Sequence, residues 1–431
     1  MSFRSERFRR LFREGSWVVF GQFIAVMGSL LGVRILTGLM NPSVYGELAL
    51  GLTVAVLIGQ IIMGPLSNGV TRFYAPAVEQ RDVGGYLNAV RRWMLLATAA
   101  IFLISLFVVL SLFIAGRKEW IAIAIAAFIF SVFNGYNLIL NGIQNAARQR
   151  SVVALHQGMQ PWARLLVAAG LIVLFGATSA VAMTGYVLGV VLVLGSQYVF
   201  FYKMIYSNRA VAENGKNWTT EIGKYSGPFA AWGLFTWAQL ASDRWALGFF
   251  STTHNVGVYA VLYQLGYYPI SIVTDMALQF LAPILYKRTG DATDCRRNAH
   301  VSRLSWRLTV WAMGVTGVSF LLTFLFHVQI FRIFVAQDYN SVSYLFPWMI
   351  LSGGLFAAGQ ALTLSLMSRM RTQIMTTAKI VTALLGVSFN FLGAYLFGVA
   401  GVVFAGVVFS GLYFAWMIAL SKSTGEREVL A

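Results

Sequence analysis

A chain of 431 residues that is 58% hydrophobic and only 11% charged cannot clothe a water-facing surface, which excludes a soluble globular fold. The net charge of +17 and pI near 10.2 need no nucleic-acid partner, because most of the basic residues lie between apolar segments, where anionic lipid headgroups offset them. A single cysteine, Cys295, excludes an internal disulfide.

Twelve apolar segments are predicted, each long enough to cross about 30 Å of hydrocarbon as a helix rising about 1.5 Å per residue. Six fall at 14–36, 45–68, 92–115, 120–145, 153–176 and 180–202. Six more follow at 225–250, 257–283, 304–327, 342–366, 375–396 and 399–421. Every second connection is rich in Lys and Arg, whereas the intervening ones hold only Arg117, Lys118 and Arg332. The positive-inside rule therefore predicts that both termini are cytoplasmic. The polar stretch 207–224 divides the segments six and six, so the expected organisation is an N-terminal lobe 1–206, a linker 207–224 and a C-terminal lobe 225–431. No connection is long enough for a soluble catalytic domain.

A charge inside hydrocarbon costs at least about 2.5–3.5 kcal/mol, so each embedded ionisable residue is expected to be paired or to face a wet cavity. The embedded cations that stand as candidates are Arg34, Arg164, Arg244 and Lys379, and the candidate acids are Asp243 and Asp275. Arg164 lies mid-segment, where it either lines a cavity or bonds carbonyls of a neighbouring helix near Pro161. Arg34 is near the outer end of its segment, and snorkelling explains it about as well. Asp243 and Arg244 are adjacent and project about 100° apart on a helix. Asp275 and Lys379 sit at compatible depths for an ion pair. The balance is positive and suits an anionic cargo.

Amides add two stripes at helical spacing: Asn134, Asn137 and Asn141, continued by Asn145, on the fourth segment, and Gln157 and Gln160 with Arg164 on the fifth, with His156 beside it. Amides serve sugar hydroxyls as donors and acceptors, and they equally bind helices together. Gly28/Gly32 and Gly185/Gly189 read as close helix packing. The sequence has no Gly-x-x-x-x-Gly-Lys-Ser/Thr loop, no His-Glu-x-x-His helix and no Cys/His cluster of metal spacing, so no cofactor, no metal site and no enzymatic activity is expected.

A weak internal echo relates the halves. Arg34-Ile35-Leu36-Thr37, Asn41-Pro42-Ser43 and Val44-Tyr45-Gly46 parallel Asp243-Arg244-Trp245, Thr252-Thr253-His254 and Val258-Tyr259-Ala260, each a charge, a polar turn and a Val-Tyr helix opening. With Gly15-Ser16-Trp17 and Gly21-Gln22, these stretches resemble the polysaccharide-export branch of the multidrug/oligosaccharidyl-lipid/polysaccharide exporter superfamily, which includes the Wzx-type O-antigen flippases. The resemblance covers the chain through segment number and topology, while its local motifs are loose.

The resemblance implies an all-α membrane protein of about twelve transmembrane helices in two six-helix lobes around a central cavity. It implies alternating access in a bacterial cytoplasmic membrane. The cargo would be a polyprenyl-diphosphate-linked oligosaccharide, with membrane lipids, a polysaccharide polymerase and assembly proteins as partners. Arg164 and Arg244 would hold the diphosphate or acidic sugars, Arg34 and Lys379 would be further cationic contacts, and Asn134, Asn137, Asn141 and Gln160 would meet sugar hydroxyls. The alternative is a cation-coupled multidrug or metabolite antiporter of the same superfamily, in which Asp243 or Asp275 would be the coupling site. A membrane glycosyltransferase or polymerase fits less well, since the longest external connection, about 328–341, is short.

Overall fold

The computed structural model describes residues 2–206, 217–274, 277–278, 295–368 and 372–429. They are helical almost throughout, because backbone in hydrocarbon must satisfy every N–H and C=O internally. In order the helices are α1 (Ser2–Leu39), α2 (Pro42–Ile58), α3 (Gly64–Glu79), α4 (Val83–Ile114), α5 (Ile121–Ala146), α6 (Arg150–Phe175) and α7 (Ser179–Tyr206). There follow α8 (Trp218–Phe250), α9 (Thr253–Leu262), α10 (Cys295–Phe334), α11 (Phe346–Ser368) and α12 (Thr372–Val429). A π-helical turn, Gly59–Met63, joins α2 to α3, and a second, Tyr263–Tyr267, continues α9.

Ten helices among the described residues are long and apolar enough to cross a membrane, which makes this a multi-pass membrane protein. Within the described residues, which leave out 275–276 and 279–283 of the predicted segment 257–283, the twelve segments fall on helices with two qualifications. The last apolar stretch, Lys379–Lys422, carries two segments, divided where Gly398 takes φ 56° and ψ −130°. Only glycine adopts that backbone without strain. Helix α8 is 33 residues long but is not among the ten, since its uncharged middle, 225–242, mixes Ser, Gly, Pro, Thr, Gln and Trp with its apolar residues.

By its contacts the chain forms two compact units, Met1–Met40 with Glu47–Trp237, and Asn41–Gly46 with Ala238–Ala431. The division falls inside α8, whereas the sequence reading places it at 207–224, of which 207–216 lie outside the described residues. The start of α8 joins the first unit for identifiable reasons. Trp218 is 2% exposed and donates from Nε1 to Asp82 Oδ2 at 2.8 Å. Asp82 Oδ1 accepts from Gly85 N at 2.9 Å and so caps α4. Trp93 Nε1 donates to the Thr219 carbonyl at 2.9 Å, and the buried Tyr86 donates to the Val70 carbonyl at 2.7 Å. Elsewhere in this unit Gly185 and Gly189 abut the backbone of Ala168 and Arg164, and Gly28 faces the Trp162 ring, so these glycines serve close packing.

In the second unit, residues 41–46 cross the start of α9. A Cβ on Gly46 would overlap the Thr253 carbonyl, and a Cβ on Gly257 would overlap the Pro42 carbonyl. The contact is reciprocal, and the flanking features agree with it: α1 and α8 end at Leu39 and Phe250, and Asn41 and Thr252 cap the helices that follow through Val44 N and Asn255 N. This register corrects the sequence echo. Asn41 does correspond to Thr252, but Tyr45 corresponds to Val256 rather than Tyr259.

Candidate functional site: embedded charges and their aromatic partners

The second unit holds the most elaborate charged cluster. Asp243, 6% exposed, uses both carboxylate oxygens: Oδ2 accepts from the Tyr259 hydroxyl at 2.7 Å and Oδ1 from the Arg244 backbone N–H at 2.7 Å. The Arg244 guanidinium lies 3.7 Å from Asp243 Oδ1, which is beyond a hydrogen-bonded ion pair. Its Nη1 donates instead to the Leu240 carbonyl at 3.1 Å, and its Cζ sits 4.3 Å from the centre of the Tyr263 ring. Adjacent side chains diverge on a helix, and the aromatic residues of α9 and its π-turn complete both environments. Tyr263 stacks on Tyr267 at 5.1 Å and 17°, and Ser242, the residue before Asp243 on α8, accepts from Asn390 at 2.9 Å.

In the first unit Arg164 is half-buried. Its Nε reaches the Gln160 carbonyl at 3.4 Å, and its Cζ lies 5.9 Å from the Phe130 ring and 5.7 Å from the Tyr186 ring. This carbonyl is on Arg164's own helix rather than on the neighbouring helix expected from sequence, because an arginine can reach back one turn, and aromatic faces lie beside the guanidinium. Gln160 donates to Asn134 at 2.8 Å, so this half-buried amide pair and Arg164 belong to one patch of α5 and α6.

Asn137 and Asn141 are placed differently. Both are buried against α7, where Asn137 donates to the Val190 carbonyl at 3.3 Å and Asn141 accepts from Gln197 at 2.8 Å. Gln197, fully buried, also donates to Gln144 at 2.9 Å. This is a helix-to-helix seam. His156 is likewise sealed, between the Val152 carbonyl and Ser196. Arg34 is exposed and Lys379 half-buried, and each has interactions of its own. Asp275 lies outside the described residues, and with it the expected Asp275–Lys379 pair.

Sequence reasoning missed Glu47. It falls inside the predicted segment 45–68 and accepts from the Ser179 hydroxyl at 2.6 Å within the first unit. Its position three residues from the segment boundary disguised it as an end residue. Tyr259 and Tyr263 were missed as well, since nothing in helical spacing marks which tyrosine will meet which charge.

No protein-family model matches the chain, and no curated protein sequence matches it either. Its fold, however, is shared with solved structures. Lipid II flippase MurJ in an inward closed conformation superposes with a TM-score of 0.72 at 13% identity, over 95% of this chain and 87% of that one. An inward-facing multidrug resistance MATE family transporter of the MOP superfamily gives 0.66 at 14%, over 93% and 95%. A mutant of the Vibrio cholerae MATE transporter VcmN gives 0.60 at 13%, over 98% of each chain. The chain is therefore a multi-pass helical membrane protein with the fold of the MOP-superfamily flippases and multidrug transporters.

Proposed function

We propose that the protein moves a polyprenyl-diphosphate-linked oligosaccharide across a bacterial cytoplasmic membrane by alternating access between two six-helix lobes, with both termini cytoplasmic. One observation carries the reading: Asp243 is occupied at both oxygens while Arg244 is turned onto Tyr263. A carboxylate held in this way is poorly placed to take a cargo cation, whereas the neighbouring guanidinium keeps planar donors suited to phosphate. Arg164 and the Asn134–Gln160 pair give the first unit a similar cationic and amide character. Membrane potential favours outward movement of the anionic head by about 2.3 kcal/mol per charge per 100 mV. A polysaccharide polymerase and assembly proteins would take up the product.

The second reading is a cation-coupled antiporter, favoured by Glu47, an embedded acid whose hydroxyl partner on Ser179 leaves its charge uncompensated by that bond. Deleting the gene and identifying the lipid fraction that builds up separates the two. Accumulation of a diphosphate-linked oligosaccharide is expected. An unchanged lipid fraction together with loss of cation-driven efflux would refute the flippase reading in favour of the antiporter.

A further inference from the structure

We infer that Tyr259 and Tyr263 are positioning residues for Arg244, which together keep its guanidinium off Asp243 and available to the diphosphate of the cargo. This deepens the flippase reading and rests on it. A guanidinium beside a carboxylate in a low-dielectric site ordinarily closes into a two-bond fork. Here it does not, and four contacts explain why. The Tyr259 hydroxyl occupies Asp243 Oδ2 at 2.7 Å, so the outer oxygen is no longer seeking a donor. The Arg244 backbone N–H occupies Oδ1, also at 2.7 Å. Finally the Tyr263 ring, 4.3 Å from Cζ, offers the cation a competing surface and fixes its plane, while the Leu240 carbonyl holds Nη1.

The four side chains come from α8, α9 and the π-turn, all in the second unit, so the arrangement is internal to one packed body. The buried hydroxyl of Tyr259 has Asp243 as its acceptor. Removing that single oxygen frees Oδ2, and the carboxylate then becomes a competitor for the guanidinium that a phosphate must displace.

The test uses the full-length protein in proteoliposomes with two fluorescent probes, a short polyprenyl diphosphate-linked monosaccharide and its phosphate-free counterpart. Tyr259→Phe should raise the concentration of the diphosphate probe needed for half-maximal flipping about ten-fold, the size of one hydrogen bond to a charged group. Asp243→Asn in the Tyr259→Phe background should restore it, because an amide cannot compete for the cation. Tyr263→Leu, which removes the ring beneath the cation, should raise it likewise, and Asp243→Asn in that background should restore it. A purely structural role for Tyr259 would harm the double variant at least as much as the single one.

Should Tyr259→Phe fail to accumulate, Tyr263→Leu with and without Asp243→Asn decides the matter, since loss of the ring should raise the half-maximal concentration for the diphosphate probe and removal of the carboxylate should restore it. If the wild type flips the diphosphate probe but Tyr259→Phe and Tyr263→Leu are unimpaired, or Asp243→Asn fails to rescue them, only the positioning role falls. If the wild type flips neither probe, or flips both equally, the flippase reading falls and the role falls with it.

Discussion

Asp82 should be the residue whose loss most weakens the first unit. It does two jobs with one carboxylate, capping α4 through Gly85 N at 2.9 Å and receiving the indole N–H of Trp218 at 2.8 Å while only 5% exposed. Asp82→Ala removes a cap worth about 1 kcal/mol and strands a buried donor at about 1–3 kcal/mol, together about 2–4 kcal/mol. Asp82→Asn keeps one oxygen for the two donors and turns an amide N–H toward the other, so about 1–3 kcal/mol is expected. Trp218→Phe removes the donor, leaves Oδ2 unpaired and opens a gap where the larger ring was. Because both changes delete the same bond, the double variant should fall short of the sum by about 1.5–3 kcal/mol. Thermal unfolding of detergent-purified protein, followed by loss of the monodisperse chromatographic peak, measures all four states. Additive losses would show that the Asp82–Trp218 bond contributes nothing, and the argument for why α8 begins in the first unit would be wrong.

Arg164→Ala should abolish export while the protein still accumulates, and Arg164→Lys should restore export only in part, since an ammonium keeps the attraction to the Phe130 and Tyr186 faces but loses the planar fork. Normal export by Arg164→Ala in a gene-replacement strain would make Arg164 a packing residue. Gly46→Ala and Gly257→Ala should each lower stability by about 1–3 kcal/mol or reduce accumulation, because the added methyl meets a backbone carbonyl that cannot rotate away. A control, Gly38→Ala, meets nothing within 4 Å and should be tolerated in the same accumulation assay.

Hydropathy made the number and order of the helices legible, since a membrane span declares itself by length and apolar content alone. It also located the break at Gly398, between segments ending at 396 and starting at 399, and the kink at Phe326, where the segment predicted to end at 327 leaves regular helix. The same measure under-read helix length. Helix α3 continues to Glu79 past Arg72, because a helix need not stop where the hydrocarbon does. Side-chain partnership was less accessible. Helical spacing put Asn134, Asn137 and Asn141 on one stripe, yet only Asn134 meets Gln160, while the other two turn to α7. A stripe is broad enough to touch two neighbours, and spacing does not say which amide meets which. Arg244 shows the same limit: its adjacency to Asp243 was visible, but the tyrosines that keep them apart come from a helix later in the chain.

The π-turn at Tyr263–Tyr267 closes with Tyr268 N–H bonding the Tyr263 carbonyl, so the helix accommodates one residue more there than an α-helical path of the same length would need. Helices ordinarily resist insertions and deletions, because every later side chain is rotated off its face. This turn is an exception, since loss of one residue within it can be absorbed by reverting to α-helical bonding. Related chains one residue shorter at this point would therefore keep their downstream packing while altering the register of tyrosines beneath Arg244. A gap confined to these five positions would mark a change in what the cation is offered, with the rest of the scaffold left as it is.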